Sequence, residues 1–87
     1  MNVVTDTENL VFTIIAEKAA AIIPGLEPSS ISMDGKLEDY GCNSIDRTDI
    51  VWMVQEALGL NIPVAEFSGV SDIRSLIELL VRHMDAQ

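Results

Sequence analysis

The sequence is poor in the residues from which reactive sites are built. Its 87 residues include one cysteine, one histidine, one tryptophan, one tyrosine and two phenylalanines. A single cysteine excludes an internal disulfide and is typical of a reducing compartment. We interpret Cys42 as a small filler near a turn, because one histidine in the whole chain offers it little activation. Since there is no Cys/His cluster and no carboxylate run that matches a calcium loop, we expect no metal site.

Basic residues are also scarce. Five lysines and arginines stand against 14 aspartates and glutamates, which gives a formal net charge of −9. Repulsion from phosphates argues against nucleic acid as a partner, and the charge favours partners with basic surfaces. No apolar run approaches the roughly 20 residues that span a bilayer, and the N-terminus lacks the basic region and apolar segment of a signal peptide. We therefore expect a cytoplasmic monomer that binds neither nucleic acid nor membrane.

What the chain has in abundance is apolar residues, 48% of the total. At this length they predict one domain over residues 1–87, near the lower limit for a core without staples. The first helix is predicted from Asp6 to Ile23. Thr5 and Glu8 form a capping box at its start, and Pro24-Gly25 ends it.

Two further helices follow the same logic. The second is predicted from Ser44 to Leu58, with Gly59 after its last residue, and the last from about 71 to 84, after a short helical turn over 64–68. The predicted fold class is all-α: a bundle of three main helices plus one short helix.

The segment from 24 to 43, between helices 1 and 2, is the longest irregular stretch of the sequence. A loop of this length in so small a domain is usually functional or held by its own apolar residues. We expect Leu26, Ile31 and Leu37 to pack into the helical core.

The second helix divides into two sides when its residues are placed at 100° intervals. The predicted core stripe consists of Ile50, Val51, Val54, Ala57 and Leu58. The opposite side consists of Ile45, Thr48, Asp49, Trp52 and Glu56. Two interpretations of Trp52 stay open: the helix is rotated and Trp52 lies in the core, or Trp52 is a partner contact inside an acidic ring.

A glycine turn places one serine at the start of the second helix. Gly41 interrupts the preceding structure, and Asn43 and Ser44 are both favourable N-cap residues. Free backbone N–H groups and the positive end of the helix dipole favour a phosphate attached at such a serine. The alternative is that Ser44 is only a cap, which is the commoner role of a serine at a helix start. Asp46 and Asp49 form an acidic rim next to it.

The chain resembles an acyl carrier protein over nearly its whole length. Leu37 and then Gly41-Cys42-Asn43-Ser44-Ile45-Asp46 are similar to the family's Leu-Gly-x-Asp-Ser-Leu-(Asp/Glu) signature. Leu60-Asn61-Ile62-Pro63 followed by Glu66-Phe67 resembles the family's segment before its short third helix. The resemblance implies a phosphopantetheine arm joined to Ser44 by a phosphodiester, with a thiol that carries acyl groups as thioesters.

A carrier of this kind is not an enzyme. A phosphopantetheinyl transferase modifies the serine and supplies the base and metal, which explains why no histidine or lysine accompanies Ser44. The resemblance also assigns partner recognition to the second helix. The candidate docking residues are Asn43, Ile45, Asp46, Arg47, Thr48, Asp49, Trp52 and Glu56.

Two residues depart from the family signature: Asn43 replaces the usual Asp, and Ile45 replaces the usual Leu. The run from Asn43 to Arg47, with Asn61-Ile62-Pro63 downstream, resembles free-standing polyketide carriers of cassettes that install β-alkyl branches. In that subgroup the carrier is a donor. Acyl-loading and decarboxylating enzymes give it an acetyl thioester made from malonyl, and it delivers the acetyl to a synthase similar to hydroxymethylglutaryl-CoA synthase.

Arg47 is the feature that would distinguish such a donor, as a cation within the acidic rim. The alternative is that its side chain simply runs along the core stripe.

Other functions stay open at this point. One is a general fatty-acid, polyketide or peptidyl carrier, and another is an unmodified helical module whose acidic face and Trp52 bind a partner directly. An enzyme is disfavoured, because Ser44 has no visible base and the sequence predicts no strand for a nucleophile elbow.

Overall fold

A computed structural model describes residues 4–86 of the chain. Within that range every regular element is helical. The α helices are α1 (Asp6–Ile22), α2 (Ser44–Leu58) and α3 (Ile73–Asp85), and 3₁₀ helices cover Pro28–Ser30, Leu37–Tyr40 and Val64–Gly69. The predicted all-α class is confirmed, and the third 3₁₀ helix is the short helix that the sequence predicted. No helix within residues 4–86 is both long and apolar enough to cross a membrane.

Helix α1 begins at the predicted capping box. The Thr5 hydroxyl oxygen accepts a hydrogen bond from the Glu8 N–H at 3.1 Å, and the Glu8 carboxylate accepts one from the Thr5 N–H at 3.0 Å. The helix ends at Ile22, one residue earlier than predicted, because Ile23 is extended. The residue before a proline is disfavoured in the α region, and Pro24 follows.

Helix α2 has the predicted bounds, and Gly59 closes it with a left-handed φ of 69°. Helix α3 begins at Ile73 rather than Ser71. Asp72 is its N-cap and accepts a hydrogen bond from the Ser75 N–H at 2.8 Å. A cap residue has non-helical dihedrals, so the helix starts after it.

The core lies where the three α helices meet. Helix α1 contributes Val11, Ile15 and Ala19, all fully buried. Of the loop residues expected in the core, Ile31 and Leu37 are buried, and Leu26 is half-buried and packs against the core. The remaining buried apolar residues are Ala16, Cys42, Ile50, Val54, Leu60, Ile62, Ile73, Leu76, Ile77, Leu79 and Leu80.

The predicted core stripe of α2 is only partly correct. Ile50 and Val54 are fully buried, and Val51 and Leu58 are half-buried. Ala57 is exposed, so its assignment to the core was wrong. Periodicity defines the side of a helix but not how far along its axis neighbouring elements cover it, and Ala57 lies in the last turn.

The long loop is more ordered than the sequence indicated. Besides its two 3₁₀ helices, it holds the first turn of α3: the carbonyls of Met33 and Gly35 accept hydrogen bonds from the N–H groups of Arg74 and Ile73, at 2.8 and 2.9 Å. The Arg74 guanidinium also pairs with the Asp34 carboxylate at 2.9 Å. Free N–H groups at the start of α3 are thereby satisfied by the loop.

Candidate functional site

Ser44 is the first residue of α2, and the residue before it, Asn43, caps the helix. The Asn43 side-chain oxygen accepts a hydrogen bond from the Asp46 N–H at 2.8 Å, and the Asp46 carboxylate accepts one from the Asn43 N–H at 3.1 Å. Ser44 is therefore not the cap. Its side chain is exposed, and within residues 4–86 no hydrogen bond engages its hydroxyl.

The backbone around Ser44 can receive an anion. The first intrahelical hydrogen bond of α2 runs from the Arg47 N–H to the Asn43 carbonyl, and the Asp46 N–H is occupied by the cap. In the part of the chain that the structure describes, the N–H groups of Ser44 and Ile45 have no such partner. Free N–H groups at the positive end of a helix dipole favour a phosphate. The residues present therefore fit a phosphodiester on the Ser44 oxygen.

Arg47 connects α2 to the preceding 3₁₀ helix. One guanidinium nitrogen donates to the Cys42 carbonyl at 3.3 Å and lies 3.9 Å from the Glu38 carboxylate. The side chain is half-buried and does more than run along the core stripe. The cation is therefore partly engaged by groups of its own chain rather than standing free in the acidic rim.

The docking face predicted on α2 is exposed for the most part. Trp52 is 63% exposed and Ile45 is 70% exposed, so the interpretation of Trp52 as a core residue was wrong. Asn43, Thr48, Asp49 and Glu56 are exposed as well, whereas Asp46 is half-buried and belongs to the cap.

A cleft of about 590 Å³ lies between α2, the third 3₁₀ helix and the first turns of α3. Ser44, Arg47 and Trp52 all line it, so the cleft opens directly beside the serine. Val64 also lines this cleft and is 87% exposed, although the sequence analysis did not single it out. An apolar residue that opens a very short helix has few neighbours to cover it, and that signal could have identified Val64. The other lining residues are Lys36, Leu37, Glu38, Thr48, Val51, Gln55, Phe67, Val70, Ser71, Asp72, Ile73 and Leu76.

Cys42 and His83 play no direct part at the serine. Cys42 is 3% exposed, and burial together with the negative charge of Asp46 raises the pKa of its thiol. His83 lies in the last turns of α3, where a ring nitrogen is 2.7 Å from the Glu66 carboxylate. It does not line the cleft at Ser44. Within residues 4–86, no group of side chains is suited to hold a metal ion.

Comparison with known proteins places this arrangement in a family. A family profile described as "Phosphopantetheine attachment site" matches residues 14–80, which is more than half of the chain. The chain is 34% identical over 70 residues to the Bacillus subtilis (strain 168) protein named "Polyketide biosynthesis acyl-carrier-protein AcpK", an alignment that covers 80% of this chain and 85% of the relative. No solved structure gives a significant match. The chain therefore belongs to the acyl carrier proteins, a family of non-catalytic carriers with a covalently attached phosphopantetheine group.

Proposed function

We propose that this chain is a single carrier domain whose phosphopantetheine arm is attached to Ser44 and carries an acyl thioester in polyketide biosynthesis. The observation that carries the assignment is that residues other than Ser44 cap the start of α2. Asn43 and Asp46 satisfy the cap, which leaves the Ser44 hydroxyl exposed and unengaged within the described residues. The similarity to a polyketide carrier supports the pathway class.

The modification needs little chemistry from the carrier itself. The Ser44 oxygen forms a bond to the phosphorus of coenzyme A that bears the pantetheine, adenosine 3′,5′-bisphosphate leaves, and the transferase takes the serine proton. The carrier's residues present the hydroxyl and hold the helix start in place. The N–H groups of Ser44 and Ile45, at the positive end of α2, would hold the phosphodiester once it is formed.

The enzymes that act on the arm must recognise the surface around Ser44. The proposed docking residues are those that the sequence analysis placed there: Asn43, Ile45, Asp46, Arg47, Thr48, Asp49, Trp52 and Glu56. Among them, Asp46 and Arg47 are half-buried and hold the local structure, so we assign direct contact chiefly to the exposed members.

The finer proposal is that the chain is a donor carrier for β-branching. It rests on the resemblance of the run from Asn43 to Arg47 to that subgroup. In this function the acyl group is an acetyl made from malonyl by decarboxylation on the carrier. The acceptor enzyme is a synthase similar to hydroxymethylglutaryl-CoA synthase, which adds the acetyl methyl carbon to a β-ketone on a second carrier.

An intact-mass measurement tests the attachment. The purified chain is incubated with coenzyme A and a phosphopantetheinyl transferase of broad carrier specificity, in parallel with Ser44→Ala and Ser71→Ala. Ser71 is a matched control, because it is an exposed serine that lines the same cleft. We expect one added phosphopantetheine on the wild type and on Ser71→Ala, and none on Ser44→Ala.

An unmodified wild type would favour the competing function, an unmodified interaction module. Addition to Ser44→Ala would place the arm elsewhere. The donor assignment is then tested with the malonyl-loaded carrier, a decarboxylating enzyme and a synthase of the stated kind. Transfer to elongating enzymes but not to the synthase would favour a general fatty-acid, polyketide or peptidyl carrier.

A further inference from the structure

Apolar exposure is concentrated next to Ser44. Within residues 4–86, four large apolar side chains are exposed: Leu10, Ile45, Trp52 and Val64. Trp52 and Val64 come from different elements, yet both line the cleft that begins at Ser44. Ile45 lies seven residues before Trp52, which is two helical turns and the same side of α2. We call Ile45, Trp52 and Val64 the apolar face.

Few exposed acidic side chains of α2 itself lie on this surface, although Glu38 and Asp72 line the cleft from neighbouring segments. Of the acidic residues of α2, Asp46 is committed to the cap, which leaves Asp49 and Glu56 exposed. The helix also carries a cation, Arg47, which is paired with Glu38. Exposed ion pairs are screened by salt and contribute little, whereas truncation of a central tryptophan in an interface commonly weakens binding by tenfold or more.

The net charge narrows down what can cover the apolar face. Two copies of a chain with a charge of −9 repel one another, and an anionic membrane surface repels the chain as well. An enzyme that acts at Ser44 must approach this surface in any case. The surface of such an enzyme should complement the apolar face: it should have an apolar pocket for the exposed side chains, with lysine or arginine at the edge opposite Asp49 and Glu56.

We propose that enzymes acting at Ser44 hold this carrier chiefly by burying Trp52 and Val64, with the two exposed carboxylates of α2 in a secondary role. The inference rests on the proposed function, since it requires that Ser44 is the residue modified. It makes the third 3₁₀ helix part of the interface.

Contacts with the rest of the chain hold the segment that carries Val64 in place. Phe67 in the third 3₁₀ helix and Val70 directly after it pack against the core, and Glu66 pairs with His83 of α3 at 2.7 Å. A residue on a held backbone loses little backbone freedom on binding, and valine has few side-chain rotamers to lose, which favours Val64 as an interface contact.

The test is the kinetics of modification by a broad-specificity phosphopantetheinyl transferase, followed by intact mass. We expect Trp52→Ala and Val64→Ser each to raise KM by about 10- to 30-fold with kcat unchanged. Leu10→Ala is the matched control, because Leu10 is equally an exposed large apolar residue (54%) but lies on α1 and does not line the cleft. We expect Leu10→Ala to change KM by less than about twofold. The ratios of variant to wild-type KM should persist in about 0.5 M salt. Thermal melts of all variants establish that they are folded.

Three results would overturn the inference. One is an unchanged KM for both folded variants while Ser44 is still modified, an outcome that leaves the proposed function intact. Another is a larger rise in KM for Asp49→Asn with Glu56→Gln than for Trp52→Ala, which would make charge the main determinant. The third is a wild-type dimer in sedimentation that dissociates on Trp52→Ala, which would assign the face to a second copy. A wild type that is never modified fails at the earlier step and removes the proposed function itself.

Discussion

Helices α2 and α3 are similar in length but use their apolar residues differently. Helix α3 has 13 residues, of which Ile73, Leu76, Ile77, Leu79 and Leu80 are buried. Helix α2 has 15 residues and buries only Ile50 and Val54, while it exposes Ile45 and Trp52. The comparison indicates that α3 stabilises the bundle, whereas α2 leaves two large apolar side chains exposed, as the proposed docking face requires.

The first turns of the two helices differ in the same way. The start of α3 is held by a carboxylate cap, Asp72, and by two carbonyls of the long loop. The start of α2 is held by the neutral amide of Asn43, and two of its N–H groups are not engaged in the described chain. A helix start that is fully satisfied from within suits packing, and one that is left partly open suits a covalently attached phosphate.

The largest expected contrast comes from truncating one apolar residue on each helix. Leu80→Ala should lower the free energy of unfolding by about 2–5 kcal/mol, because Leu80 is fully buried and its loss leaves a cavity. Trp52→Ala should change it by no more than about 0.5 kcal/mol, because Trp52 is largely exposed. Urea denaturation followed by circular dichroism measures both. A similar loss for the two variants would mean that Trp52 packs in the core after all.

An intermediate effect is expected at the cap of α2. Asn43→Ala should lower the free energy of unfolding by about 1 kcal/mol, because it removes the acceptor of the Asp46 N–H. Asn43→Asp should be close to neutral, since aspartate caps equally well and restores the usual family residue. Both are compared in the same denaturation experiment. If Asn43→Ala were neutral, another group would have to satisfy the Asp46 N–H, and Ser44 would be the first candidate.

The smallest effect is expected from acid, and it separates the two caps. The hydrogen bond from the Ser75 N–H lowers the pKa of Asp72. A carboxylate with a lowered folded-state pKa stabilises the fold above its unfolded pKa of about 3.9, and this stability is lost as the pH falls through the folded-state value. The Asn43 amide has no proton to take up in this range, so the hydrogen bond that it accepts from the Asp46 N–H should not respond.

The matched variant for the acid experiment is Asp72→Asn, which keeps the cap and removes the titration. The difference in unfolding midpoint, wild type minus Asp72→Asn, should fall as the pH is lowered from 5 towards 3. The other carboxylates are common to both chains and cancel in this difference. A difference that is constant with pH would mean that Asp72 does not couple to folding.

Much of this architecture could be predicted from local signals. Thr5 with Glu8 marked the start of α1, and Asn43 with Gly59 enclosed α2, because capping and left-handed termination depend on residues close in sequence. Exposure of Trp52 was one of two open interpretations, and its place opposite Ile50 in the helical repeat favoured it.

The features that escaped prediction depend on contacts distant in sequence. The hydrogen bond from the Arg74 N–H to the Met33 carbonyl joins residues 41 positions apart, and turn-forming residues gave no sign of it. Tyr40 is a similar case, since its hydroxyl oxygen accepts a hydrogen bond from the Ser32 N–H at 2.8 Å and stabilises the loop. The exposure of Ala57 depends on how far neighbouring elements cover α2 along its axis, which periodicity does not contain.

The burial of Cys42 affects whether an acyl group can move from the sulfur of the arm to the protein itself. Acyl groups migrate between sulfurs when a thiolate attacks the thioester. Cys42 is buried and its pKa is raised, so its thiol supplies almost no thiolate for this attack. Cys42 lies two residues from Ser44 and is the only sulfur nucleophile that the polypeptide provides. A chain with one arm would therefore have one exchangeable sulfur. Its acyl stoichiometry would be one, with no leak onto the protein, and titration of accessible thiols would count the arms that carry no acyl group.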